Sequence, residues 1–220
     1  MLDEAADKVI FDALRNAIYH ALREAFFGAW HRRLLFLIIA TGTSGATGLF
    51  EKVVSAPLGG SLVAGAAALF AAAELAYDPK GRSSDHQKFK EKYFEIWNEA
   101  GCCDQISAEK LKTWRQQMNE LTAQEPKSYR ALDSQARNQA IDGTQGYNAD
   151  DRIKLCLIVS LTSNWIPYSN RRFLTVTEYQ AAKILRRKYR RSTCRYIMRR
   201  LRRRRLISWR GRRGRLMDRW

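Results

Sequence analysis

Between Leu34 and Phe50 the chain carries no charged residue, and between Pro57 and Tyr77 it carries one, Glu74. A short segment with Glu51, Lys52 and Ser55 separates the two stretches. Such a pair predicts a transmembrane helical hairpin over residues 34–77, because a helix satisfies its own backbone hydrogen bonds where no water is present. The first stretch, LLFLIIATGTSGATGLF, has 17 residues and extends about 25 Å as a helix, slightly short of a ~30 Å hydrocarbon core. Phe26, Phe27 and Trp30, just ahead of His31-Arg32-Arg33, suit a membrane–water interface and lengthen the span, and Arg33 can snorkel. The soluble alternative is a helical hairpin buried in a globular domain, which needs a larger surrounding core than 220 residues supply.

Small residues punctuate both stretches. Gly42, Gly45 and Gly48 lie in the first, and Gly60, Gly65, Ala68 and Ala72 in the second. At these spacings helix backbones approach closely, so the hairpin is expected to pack on itself and on copies of itself as a homo-oligomer. Counting about twenty residues each way from a tip near Val54 sets Glu74 level with Leu34, beside Arg32 and Arg33. Two readings of Glu74 follow: an ion pair with Arg32 and Arg33 at the mouth of the hairpin, or a carboxylate solvated at the interface. Arg32 and Arg33 before the first span, and Lys80 and Arg82 after the second, place both termini in the cytoplasm.

The net charge of +17 is unevenly spread. Residues 1–150 hold 17 Lys+Arg and 19 Asp+Glu, whereas residues 151–220 hold 22 and 3. The N-terminus opens Met-Leu-Asp-Glu-Ala-Ala-Asp, acidic where a cleaved signal needs a basic region, so the first span is expected to act as its own signal. Cys102, Cys103, Cys156 and Cys194 show no CxxC or CxxH spacing and read as reduced thiols, with no metal site.

Four segments result: a juxtamembrane amphipathic helix over 1–33, the hairpin over 34–77, a cytosolic helical region over 78–150, and a basic segment over 151–220. In the first, Val9, Ile10, Leu14, Ala17, Ile18, Ala21, Leu22, Ala25 and Phe26 recur at steps of three and four, with Asp7, Lys8, Asp12, Arg15, His20, Arg23 and Glu24 on the polar face. In the third, Ser83 or Ser84 can cap a helix that carries Phe89, Tyr93, Ile96 and Trp97 and ends at Gly101. Ser107 can cap a second with Leu111, Trp114, Met118 and Leu121, ended by Pro126. A third carries Tyr129, Leu132, Ala136 and Ala140 and stops at Gly143. The fold class is all-α: amphipathic helix, transmembrane hairpin, cytosolic bundle and basic tail.

This order is similar to the SLATT-type two-transmembrane proteins of bacterial conflict systems, over residues 8–145. An Arg-bearing helix leads through an aromatic–basic junction into two close spans, then into a helix with Asp78, Arg82, His86 and Tyr93. The resemblance implies an oligomerising pore-forming or membrane-perturbing effector of a defence system. It further implies release of that effector by a sensor or nucleotide-signalling partner encoded nearby.

Three readings of the basic tail stay open. Thr175 to Tyr189 predicts a helix, Ser192 can cap another over 192–205, and SWRGRRGRLMDRW can form a hairpin. That order resembles a winged helix-turn-helix, and Arg195, Arg199, Arg202, Arg203, Arg212 and Arg213 are then the nucleic-acid or anionic-lipid contacts. The alternatives are a solvated or lipid-touching basic tail, and an out-of-frame product. The last is suggested by the change from nine Lys and eight Arg before residue 151 to three Lys and nineteen Arg after it. His20, His31 and His86 read as isolated on their helices. No nucleophile–base pair, phosphate loop or cofactor motif occurs, so neither enzymatic activity nor a cofactor is expected. A membrane-tethered nucleic-acid-binding protein is the second functional reading.

Overall fold

The computed structural model describes residues 2–47, 59–103, 105–144 and 147–186. Its architecture is all-helical. Helix α1 runs unbroken over Leu2–Thr47, 46 residues and about 69 Å. The amphipathic helix and the first apolar stretch are thus one rod. The chain's first proline is Pro57, and nothing between Trp30 and Leu34 interrupts a helical ladder.

Helix α2, Gly59–Tyr77, joins α3, Pro79–Gly101, through Asp78 alone. Asp78 is left-handed, with φ 39° and ψ 60°, and its carboxylate accepts the amide of Gly81 at 3.0 Å. Proline at the first helical position completes the start. Helix α3 therefore begins ahead of Ser83 and Ser84, the expected caps. A Cβ at Gly81 would lie 2.1 Å from Asp78 Oδ2, so this cap needs glycine there. Helix α4, Ala108–Gln124, is capped by Ser107 as expected, and α5 spans Arg130–Gly143. A 3-10 turn at Ala149–Asp151 and a short α6, Leu157–Thr162, follow.

The N-terminal half of α1 is the axis of the bundle. Ala6, Val9, Ala13 and Ala17 pack against Tyr93, Ile96 and Ala100 of α3 and Leu111, Trp114 and Leu121 of α4. Phe11 and Leu14 meet Ala140 and Ile141 of α5, and Tyr19 meets Leu132 and Ala136. The alanines let α3 approach closely, and each large apolar side chain buried here contributes about 1.5–3 kcal/mol. With helices packed along it, this half of α1 is covered on most of its length, and Glu4, Asp7, Lys8 and Ala25 are its exposed described residues. His20 and Arg23, expected on the polar face, are only 1% and 6% exposed.

The chain forms two compact units, Met1–Phe173 and Leu174–Trp220, so the first extends past the boundary expected at residue 151. Asn138 accounts for part of that extension. Its side chain donates to Ile153 O at 2.9 Å and accepts from Ile153 N at 2.7 Å, imitating a strand pairing. Trp165 then packs edge-on against Phe26 and Trp30, with centroids 4.9 and 5.3 Å apart. In the second unit residues 176–186 are helical. Thr175 Oγ1 accepts from Glu178 N while Glu178 accepts from Thr175 N, a reciprocal cap. The remainder of the expected winged-helix order lies outside the described residues.

Among the described residues no helix is long and apolar enough to cross a membrane. The uncharged part of α1 that is described, residues 34–47, extends about 21 Å, and α2 about 28 Å, against a ~30 Å core.

Candidate functional site

Two regions carry unusual chemistry: the hairpin base and a groove beside it in the bundle. In the hairpin, Leu34 is buried and Ile38 and Thr41 are half-buried on the face of α1 toward α2. Opposite them Val63, Ala66, Ala67, Phe70, Ala73 and Glu74 are half-buried. Gly65, Ala68 and Ala72 are exposed on the other side of α2, and among the described residues neither Gly42 nor Gly65 has a neighbour within 4 Å of a Cβ built there. Among the described residues, Gly65, Ala68 and Ala72 therefore lie on the uncovered side of α2. The contact of α1 with α2 is made by larger side chains of α1 set against alanines and Phe70, which leaves the Gly65–Ala68–Ala72 stripe facing outward. Gly45 and Gly60 lie within the two helices, while Gly48 lies outside the described residues.

Glu74 pairs with His31, whose Nδ1 meets Glu74 Oε1, and not with Arg32 or Arg33, which are exposed. The reason is helical phase. His31, Leu34 and Ile38 recur at three and four residues, whereas Arg32 and Arg33 are rotated about 100° and 200° from His31. Glu74 Oε2 is buried with no hydrogen-bond partner among the described residues.

Below the hairpin, His20 and His86 come together. Their Nδ1 atoms are 2.9 Å apart, so one ring donates and the other accepts. His20 stacks between Phe89 and Tyr93 at 5.1 and 5.7 Å, and His86 lies parallel to Phe27 at 5.7 Å. His20 Nε2 is 3.1 Å from Glu125 Oε1, close enough for attraction but off the line of a hydrogen bond. Tyr93 Oη donates to that same Glu125 oxygen. Burial first, then the charges of His20 and Arg23, lowers the His86 pKa to about 4. Burial and the bond to Glu125 raise the Tyr93 phenol. Among the described residues no three His, Cys, Asp or Glu side chains are grouped to hold a metal.

His86 lines a groove of about 1340 Å³ between α1, α3, the α4–α5 connection and residues 167–169. Its cations are Arg23, Arg82, Lys88, Lys92, Lys127 and Arg130, against Asp85 and Glu125. Asp85 faces Lys88 at 3.5 Å, and Glu125 is committed to Tyr93 and His20. The guanidinium of Arg23 lies over the rings of Phe27 and Tyr129, 4.6 and 4.3 Å from their centroids. It donates to Asn164 O at 2.9 Å, while its Nε has no partner. Arg82 lies over the other side of the same floor, 5.8 Å from Phe27.

The three histidines, expected to be isolated on their helices, each have a polar partner. The missed signal is the continuous stripe His20, Arg23, Phe27, His31, Leu34 at three- and four-residue steps, which runs from bundle to hairpin on one side of α1. Of the positions that carried the family resemblance, Asp78 caps α3, Arg82 and His86 line the groove, and Tyr93 is buried beneath it. Arg195, Arg199, Arg202, Arg203, Arg212 and Arg213 lie outside the described residues. No family model, curated protein or solved structure matches this chain.

Proposed function

We propose that the chain is a two-span bacterial inner-membrane protein, both termini cytoplasmic, that assembles through its hairpin and perturbs the bilayer as an effector of a defence system. The observation that carries this is a band of large apolar side chains exposed among the described residues. Phe36, Ile39, Leu69 and Leu75 are 70%, 61%, 72% and 86% exposed, all on the hairpin. Water disfavours such a band, and hydrocarbon accepts it. The uncharged sequence continues beyond the described part of α1 to Phe50, which adds span length. The outward Gly65–Ala68–Ala72 stripe is a surface on which a second copy can seat closely.

Alkaline extraction of membranes and dye release from vesicles test this reading. The full chain should stay in the extracted membrane fraction and release dye. Phe36→Arg with Leu69→Arg should abolish both, since each arginine at mid-span costs about 2.5–3.5 kcal/mol. Recovery of the unaltered chain in the soluble fraction overturns the proposal. A second reading, a membrane-tethered nucleic-acid-binding protein, is favoured by charge, since residues 174–220 hold 18 Lys+Arg against 2 Asp+Glu. Retention of DNA by the full chain at physiological salt, lost on removal of the tail, is its test.

A further inference from the structure

We infer that the groove floored by Arg23 and His86 binds a phosphate-bearing anion. Arg23 is the anchor of the argument. It is 6% exposed, it lines the groove, and it has no ion pair among the described residues. A guanidinium has five N–H donors, and among the described residues Arg23 makes one hydrogen bond, to Asn164 O at 2.9 Å, with Nε unpartnered. Buried charges are ordinarily paired, because desolvation of an isolated one is costly. The aromatic rings over Arg23 offset part of that cost and supply no acceptor.

The surroundings repeat the pattern. Arg82, Lys92, Lys127 and Arg130 line the same groove, and none has a carboxylate within 4 Å among the described residues. The groove's two acids are already engaged, Asp85 by Lys88 and Glu125 by Tyr93 and His20. Several unneutralised cations converging on a concavity suit a group with more than one negative charge. Arg in particular matches the spaced oxygens of phosphate. At about 1340 Å³ the groove is roomier than one inorganic phosphate requires, so it has space for a phosphate carried on a larger molecule.

Two sources present that chemistry. Arg82 lies five residues beyond the end of α2, about 8 Å along α3, so a phospholipid headgroup is within reach if the hairpin is embedded. A soluble polyphosphate is the other. The soluble source does not depend on the membrane reading.

Calorimetric titration of the full chain in neutral detergent with pyrophosphate tests the soluble source. Native mass spectrometry from nanodiscs, comparing phosphatidylglycerol with phosphatidylcholine, tests the headgroup. The basic tail binds anions as well, so each variant is read against Lys112→Gln, an exposed α4 change away from the groove. Arg23→Gln and, separately, Arg82→Gln with Lys92→Gln should weaken one saturable site at least tenfold in one arm. A loss confined to pyrophosphate assigns the soluble ligand, and a loss confined to phosphatidylglycerol retention assigns the headgroup. Arg82 and Lys92 are exposed, so their variant stays informative if Arg23→Gln fails to fold. Affinities equal to those of Lys112→Gln in both arms overturn the inference.

Discussion

Asp78 holds two roles in one residue. It turns the chain from α2 into α3 at φ 39°, a conformation that costs an L side chain about 1–2 kcal/mol, and its carboxylate caps the new helix. The two roles can be separated. Asp78→Ala loses the cap and keeps the strain, so thermal melts followed by circular dichroism should show a loss of roughly 1 kcal/mol. Asp78→Gly loses the cap but relieves the strain, so it should fall by less than Asp78→Ala. Equal losses would mean that the turn carries no strain. His86 gives a second prediction at this scale. Its folded pKa, about 4, lies below the unfolded value of 6.5, so the unfolded chain binds the proton more readily. The stability that neutral His86 confers is fully present above pH 6.5 and is lost as pH falls toward 4, on the order of 3 kcal/mol at most. Melting midpoints between pH 7 and pH 4 should fall steeply in the unaltered protein and less steeply in His86→Gln.

At the scale of the element, the hairpin presents two different faces. The inward face pairs His31 with Glu74 and large α1 side chains with the alanines of α2. The outward face carries Gly65, Ala68 and Ala72. Gly65→Leu with Ala68→Leu should therefore lower the oligomer mass measured by light scattering in detergent and leave helicity unchanged. Glu74→Gln should disturb the hairpin and Arg33→Gln should not, as read by cross-linking between α1 and α2. Much at this scale was legible in the sequence. Ser107, Pro126, Gly101 and Gly143 end or begin helices as their local chemistry dictates. The partner of Glu74 was not, because it depends on the rotation of α1, and a count of residues along each helix gives depth but no azimuth. His20 and Arg23 were misplaced for a related cause. A polar residue in an amphipathic pattern reads as solvent-facing, and only the packing of α3, α4 and α5 around α1 buries it.

For the whole molecule the informative cut is at Phe173. Residues 151–173 belong to the first unit through Asn138, through Arg23 bonded to Asn164 O at 2.9 Å, and through Trp165 on Phe26 and Trp30. Charge alone had assigned them to the tail, since composition changes at residue 151 while the tertiary contacts continue. A chain ending at 173 keeps those interactions and loses 18 of the 22 basic residues that follow position 150. It should melt close to the full chain, remain in extracted membranes and release dye from vesicles, with polyanion retention by the tail removed. A chain ending at 150 exposes the Phe26 and Trp30 rings and leaves the Arg23 guanidinium without its carbonyl acceptor, a loss of about 1.5–3 kcal/mol for that bond alone. It should melt lower and bind pyrophosphate more weakly than the 1–173 chain, because the groove has lost Pro167 and Ser169 from its wall. Matched melting and matched pyrophosphate affinity in the two truncations would show that residues 151–173 take no part in the bundle or the groove.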